Sequence, residues 1–396
     1  MKRFVLVAAG FFFALAIQPA GHAGNPPKGG SDQSASPGFV ARRSLGEGGS
    51  RIVTPLVARN VLVVTLDGVR WQELFGGAQP DLIDEKVGGV ADPGALRARF
   101  LRSNSGEARR TLMPFFWTTI AAKGQVFGDS TRESAARVTN GLWFSYPGYN
   151  EMLAGRADPR IDSNDQVANP NVTVLEWLNA RPSFSGRVAA FGSWELLPYI
   201  LNVKRSHLPA NGEGAPIADP RSETDRALNE FAADLPPYWG ATRFDAPTMA
   251  GAIECLKRDR PRVLYVMLGE TDEWGHERRY DLYLDAMWRS DRFVRRLWDL
   301  AQSMPEYAGQ TALVVATDHG RGATEKDWTD HGRKVPAAER VWLAVMGPGT
   351  EPLGVRTSAP ATLSQLAATV AALVGEDFTT SLADVAPPLP GVIMKK

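Results

Sequence analysis

The sequence predicts an α/β fold: a sandwich on a mostly parallel central sheet, with helices on both faces. Near-continuous apolar runs at 61–66, 187–191, 263–268, 312–316 and 341–346 have the character of strands buried on both sides. Helical patterns at 113–123, 149–154, 172–179, 279–302 and 361–374 alternate with them, the last closed by Gly375. Alternation of this kind implies parallel pairing through crossover helices. Finally, Asp67, Asp272 and Asp318 each follow a strand candidate, so one crevice beyond the carboxyl ends of the strands can collect all three.

Taken in chain order, the first segment has the marks of an export signal. Met1-Lys2-Arg3 supplies positive charge, 4–17 is apolar, and Gly21-His22-Ala23 offers small residues at a cleavage point. The apolar stretch is short for a transmembrane helix; retention as an uncleaved anchor is the alternative. We expect a signal peptide over 1–23, a Gly/Ser/Pro-rich disordered tether over 24–52, and one domain over 53–396. Residues 207–247 interrupt the α/β rhythm with prolines, glycines and charges, and are expected to form an inserted loop or small cap. Beyond the signal segment no stretch is apolar enough to span a bilayer, and the protein is expected outside the cytoplasm.

Composition is globular, and 44 basic residues balance 44 acidic ones, so bulk charge offers no nucleic-acid or membrane signal. Cys255 is the sole cysteine, which excludes an internal disulfide, and it is expected as a buried packing residue on a helix.

The chemistry concentrates in four segments. Three of the five histidines neighbour aspartates: Asp272-Glu273-Trp274-Gly275-His276, Asp318-His319-Gly320 and Asp330-His331-Gly332. Asp67 ends the first apolar run. Carboxylates and imidazoles in this mixture suit borderline-hard divalent cations with open positions for substrate. On a helix, Asp272 and His276 share a face; singly, each segment is also compatible with a strand-end cap or a helix-face pair. Trp71, Trp143, Trp274 and Trp328 lie near these residues, where core packing is the default and an aromatic substrate wall the alternative.

The ordered set resembles the alkaline phosphatase superfamily, and most its type I phosphodiesterase/nucleotide pyrophosphatase branch. The matching residues are Asp67-Gly68 after the first strand, Ser145-Tyr146-Pro147 with Gly155 eight residues after the proline, Asp-x-x-Gly-His at 272–276, Thr317-Asp318-His319-Gly320, and His331-Gly332. The resemblance spans about residues 59–350 and implies an alkaline-phosphatase-like sandwich. It implies that Asp67, Asp318, His319 and the Ser145 oxygen hold one divalent ion, and that Asp272, His276 and His331 hold a second. Zinc is the expected metal and manganese the alternative. Ser145 would be the nucleophile, activated by a cation and placed at a helix start; without the metal residues it reads as a helix cap. The chain departs from the branch in having serine where threonine is usual and Gly148-Tyr149 where Asn-His is usual. The phosphate-contacting asparagine stays unassigned between Asn164 and Asn169. A sulfatase motif would need arginine at position 149, where Tyr149 stands.

The resemblance therefore implies an exported two-metal phosphohydrolase acting on a small-molecule phosphate mono- or diester through a phosphoserine. The alternatives are a phosphoglycerate-mutase-like phosphotransferase and a non-catalytic metal-binding surface protein. Oligomeric state is not readable from the chain.

Overall fold

The computed structural model describes residues 57–394 except 213, 218 and 381. The expected signal peptide and tether lie outside the described residues. Eight strands form the main sheet. In chain order they are β1 (Asn60–Leu66), β2 (Gly124–Phe127), β3 (Val188–Gly192), β4 (Ala210–Asn211), β5 (Val263–Leu268), β6 (Thr311–Ala316), β7 (Leu343–Met346) and β8 (Gly354–Val355). Their spatial order is β8-β2-β7-β6-β1-β5-β3-β4. Every pairing is parallel except those made by β7, which runs antiparallel to both β6 and β2.

β1 is central and its register positions the chemistry. Leu66 pairs with Leu268 on β5, and Thr65 with Ala316 on β6. Parallel pairing without offset therefore brings Asp67, the segment after Leu268 and the segment after Ala316 out at one edge. The inner strands are fully buried, which is why their sequences are continuous apolar runs rather than alternating ones. Leu62, Val64 and Leu66 face one core, shared with the helices Asp245–Arg258 and Tyr280–Ser303. Val61 and Val63 face the other, shared with the helices Ser145–Ala154, Val174–Asn179 and Gln365–Leu373.

Several expected elements take different forms. The run at 341–346 is two elements: Arg340–Val341 joins a small three-stranded sheet with Ala136–Arg137 and Ala361–Thr362, and only Leu343–Met346 enters the main sheet. Trp342, fully buried between them, donates its indole N–H to the Val69 carbonyl at 3.0 Å and fixes the transfer. The pattern at 361–374 likewise starts with a strand, and its helix begins at Gln365. The stretch at 113–123 is a π-helical turn, Phe116–Ile120, followed by a short α-turn; Asp291 anchors its start by accepting from the Phe115 and Phe116 amides at 2.8 and 2.7 Å. The helix expected from Tyr149 starts four residues earlier, at Ser145. Pro147 is tolerated there because first-turn amides need no intrahelical acceptor.

Within 207–247 the chain adds edge strand β4 and a helix, Glu223–Asp234, opened by a capping box between Ser222 and Asp225. It then turns through Tyr238 and Trp239, whose rings pack on Trp274 at 5.7 and 4.6 Å. Cys255 is buried on the helix Asp245–Arg258, and burial pushes its thiol up to about 12, so it is an inert packing group. Among the described residues no helix is long and apolar enough to cross a membrane.

Candidate metal centre

The backbone after β1 sets the first ligand. Gly68 takes a φ of +62°, a left-handed value, and a Cβ there would sit 2.4 Å from Asp272 Oδ1. Glycine is thus required twice, by conformation and by space. Its amide donates to Asp318 Oδ1 at 3.1 Å, and the next amide, Val69, donates to Thr317 Oγ1 at 3.0 Å. These bonds lock the loop after β1 to the loop after β6, some 250 residues later. Asp67 is held from two sides: Tyr149 Oη donates to its Oδ2 at 3.0 Å, and Thr271 Oγ1 donates to its carbonyl.

Asp272 and His276 lie on one short helix, Glu270–His276, with His276 Nε2 3.1 Å from Asp272 Oδ2. His331 comes from a loop and faces His276, Nε2 to Nε2, at 2.9 Å. His319 sits between the two halves. Its Nε2 is 3.2 Å from Asp67 Oδ1, 3.6 Å from Asp318 Oδ2 and 3.7 Å from Asp272 Oδ1. Ser145 Oγ reaches the same point, 3.3 Å from His319 Nε2 and 3.5 Å from Asp67 Oδ1. All seven sequence-derived site residues are therefore brought together. Two ligand groups stand out, Asp67-Asp318-His319 and Asp272-His319-His331, with His276 joined to the second. His319 Nε2 lies within reach of both groups.

The arrangement fits divalent cations. Ligands at about 2.0–2.2 Å around a tetrahedral ion lie roughly 3.3–3.6 Å from one another, and the spacings here run from 2.9 to 3.9 Å. Asp318 Oδ2 and His331 Nδ1 are buried without a hydrogen-bond partner, and the Asp318 oxygen is oriented toward His319 Nε2. A buried carboxylate oxygen without a donor carries a desolvation penalty that a cation would remove.

Electrostatics agree. Burial, then the Asp272 charge, raise Asp67 above the usual carboxylate range. Burial, then Asp67, raise Asp318 well above it. Burial would lower His319, but Asp318 and the other carboxylates outweigh it and hold the imidazole at about 9. Burial and the neighbouring His319 depress His331. Three carboxylates, one imidazolium and the Arg321 guanidinium are packed together here, and such mutual perturbation marks functional sites. Burial, then Asp318, keep Tyr149 a neutral phenol, as its donation to Asp67 requires.

Three residues carry weight that sequence reasoning did not assign. Arg321, fully buried, ion-pairs with Asp272 Oδ1 and donates to the Asp272 carbonyl at 2.7 Å and to the Thr329 carbonyl. Although burial alone would raise Asp272, Arg321 and then His276 drive it well below the usual range. Gly275 makes room for this guanidinium: a Cβ there would lie 2.7 Å from Arg321 Cζ. Tyr149 is the second, standing where a sulfatase motif has arginine. Asn164 is the third: its Oδ1 accepts from the Tyr146 amide at 3.0 Å, beside Ser145, whereas Asn169 is buried in a packing network with Asn150. The Tyr146 amide is thereby engaged, so the helix start does not offer it to a ligand. Trp274 and Trp328 are core residues, as the packing default expected.

Residues 243–377 match the family model described as the Metalloenzyme superfamily; they include Asp272, His276, Asp318, His319 and His331. A search of curated proteins finds no match. Wild type alkaline phosphatase PafA superposes with a TM-score of 0.52 at 11% identity, covering 85% of this chain and 99% of that one. Ps i-CgsB superposes at 0.50 and 14% identity, covering 84% and 75% of the two chains. A candidate sulfatase from Bacteroides thetaiotaomicron VPI-5482 superposes at 0.50 and 13% identity, covering 87% and 76%. The fold is alkaline-phosphatase-like, and these likenesses show the fold alone.

Proposed function

We propose that this chain is an exported, metal-dependent hydrolase of phosphate mono- or diesters, with Ser145 as nucleophile. One observation carries the reading: Ser145 Oγ, at the first residue of a helix, converges on Asp67 and His319 within 3.5 Å at the centre of a seven-residue ligand set. Asp67, Asp318 and His319 would hold one divalent ion and Asp272, His276 and His331 the other, with zinc the first expectation and manganese the second. When bound, such ions stabilise a serine alkoxide and a departing ester oxygen. Ser145 gives up its hydroxyl proton as Oγ bonds to phosphorus, and the ester oxygen leaves and is protonated to the alcohol. Water then hydrolyses the phosphoserine, releasing phosphate from a monoester or the remaining phosphate monoester from a diester, and restoring the serine. Asp67 is kept in place for this by Tyr149 and Thr271, and Asp272 by Arg321.

A sulfate monoester is the second reading, favoured by the candidate sulfatase among the structural neighbours. Tyr149 opposes it, since it replaces the arginine of the sulfatase motif and its hydroxyl is committed to Asp67. Steady-state turnover of matched aryl phosphate monoesters, aryl phosphate diesters and aryl sulfates, with zinc or manganese added, decides. Phosphate ester cleavage, mono- or diester, well above sulfate ester cleavage supports the first reading; faster sulfate ester cleavage overturns it. Export rests on the first 23 residues, and mass spectrometry of extracytoplasmic protein should find a mature N-terminus near Gly24.

A further inference from the structure

Beside the metal centre lies a cavity of about 650 Å³, bounded by the loops that carry the site residues. Trp143 lines it two residues before Ser145, and Arg333 and Lys334 line it just after His331. The loops are clasped there: Arg333 Nε donates to the Gly141 carbonyl at 3.0 Å. Four cationic side chains and two carboxylates face this space, an excess of two positive charges. Both carboxylates are already engaged. Glu339 is shared by Arg137 at 3.1 Å and Arg340 at 3.7 Å, and Asp327 Oδ1 closes a turn by accepting from the Thr324 amide and hydroxyl, each at 2.7 Å. The cations left without a carboxylate partner among the described residues are Arg333 and Lys334, both exposed.

Trp143 adds an independent sign of construction. It holds a left-handed backbone, φ +56°, which a bulky residue adopts only when its surroundings impose it. Asn140 imposes it, its Oδ1 accepting from the Leu142 and Trp143 amides at 2.8 and 3.0 Å. This backbone sets where the Trp143 side chain leaves the loop, two residues before Ser145.

We propose that this cavity is a leaving-group subsite for esters whose alcohol is aromatic or otherwise flat and carries a second anionic group, the ring lying along Trp143 and the anion meeting Arg333 and Lys334. The subsite rests on the hydrolase reading above and narrows its substrate class. The paired substrates are phenyl phosphate and 4-carboxyphenyl phosphate, with the corresponding sulfates run alongside. Wild type should prefer the carboxylate-bearing ester through KM. Lys334→Glu should lower kcat/KM for that ester by about tenfold, the scale of lost and reversed rim charge, while phenyl phosphate changes little. Arg333→Lys keeps the charge and should keep the preference, and Trp143→Phe should keep part of it. Equal turnover of the two esters by wild type overturns the proposal, as does a parallel loss of both in Lys334→Glu. If no ester of either class is turned over, the hydrolase reading itself fails and the cavity is read alone by calorimetry. 4-Hydroxybenzoate must then bind wild type and not Lys334→Glu; absent or equal binding overturns the subsite.

Discussion

Replacing Arg321 by Met removes a buried guanidinium that three carbonyl or carboxylate oxygens depend on. The shape is nearly kept, so the loss is of charge and hydrogen bonds. Breaking one side of a buried ion pair costs about 3–5 kcal/mol, because the surviving charge is left uncompensated. At an unfolding entropy of about 2.1 cal/mol/K per residue, a domain of roughly 340 residues shifts by about 1.4 °C per kcal/mol. The metal-free variant should therefore melt about 4–7 °C below metal-free wild type. Zinc stabilises only the folded chain, and a variant that binds it more weakly gains less from it, so the gap should widen when zinc is added, by about 1.4 kcal/mol for each tenfold loss of affinity. Affinity should respond at one site only. Asp272 loses the partner that orients it, and losing such a partner typically weakens metal binding about 10–100-fold. Among the described residues the hydrogen bonds and ion pair of Arg321 go to Asp272 and Thr329, so the group Asp67-Asp318-His319 should keep its ion. Arg321→Lys retains charge but not the fork of donors, and should fall between. Calorimetric zinc titration and differential scanning measure both quantities. If Arg321→Met binds two zinc ions with wild-type affinities and melts with wild type when metal-free, the guanidinium does not support Asp272 and the reasoning fails.

Ser145→Ala should lower turnover by several powers of ten while zinc content, measured by elemental analysis, stays near wild type. His276→Ala should weaken one ion and leave the other, read as one lost and one retained transition in a zinc titration, because His276 is on the rim with a 42% exposed side chain while Asp318 and His319 are fully buried. The pH dependence follows from His319. Its folded value of about 9 lies above the unfolded one, so its contribution to the metal-free protein is complete below about pH 6.5 and is lost as pH rises through 9. The ion takes the proton's place, so the melting-temperature gain on adding zinc should grow from pH 6.5 to 9, by no more than about 1.4 kcal/mol per pH unit for this one group. A gain that shrinks over that range would show that His319 is not a ligand.

The site was legible in the sequence where local order alone determines geometry. An aspartate directly after a fully buried parallel strand has one place to go, and strands in register send Asp67, the 269–272 turn and Asp318 to one edge. Asp272 and His276 are legible for a similar reason, since four residues make one helical turn. What was not legible depends on contacts between distant segments. Trp342 reads as one more apolar residue in a strand, yet its indole bond to Val69 divides the strand between two sheets. Strands β4 and β8 are two residues long and carry no periodicity to detect. Arg321 is the clearest case. It directly follows Asp318-His319-Gly320, but nothing there points to its partners, which lie 49 and 8 residues away. The one local sign is Gly275, which sits inside a helix where glycine costs about 1 kcal/mol relative to alanine. In the Asp-x-x-Gly-His pattern that glycine looks like part of a metal motif, but it binds nothing. It is there because any side chain would press on the Arg321 guanidinium and push it from Asp272.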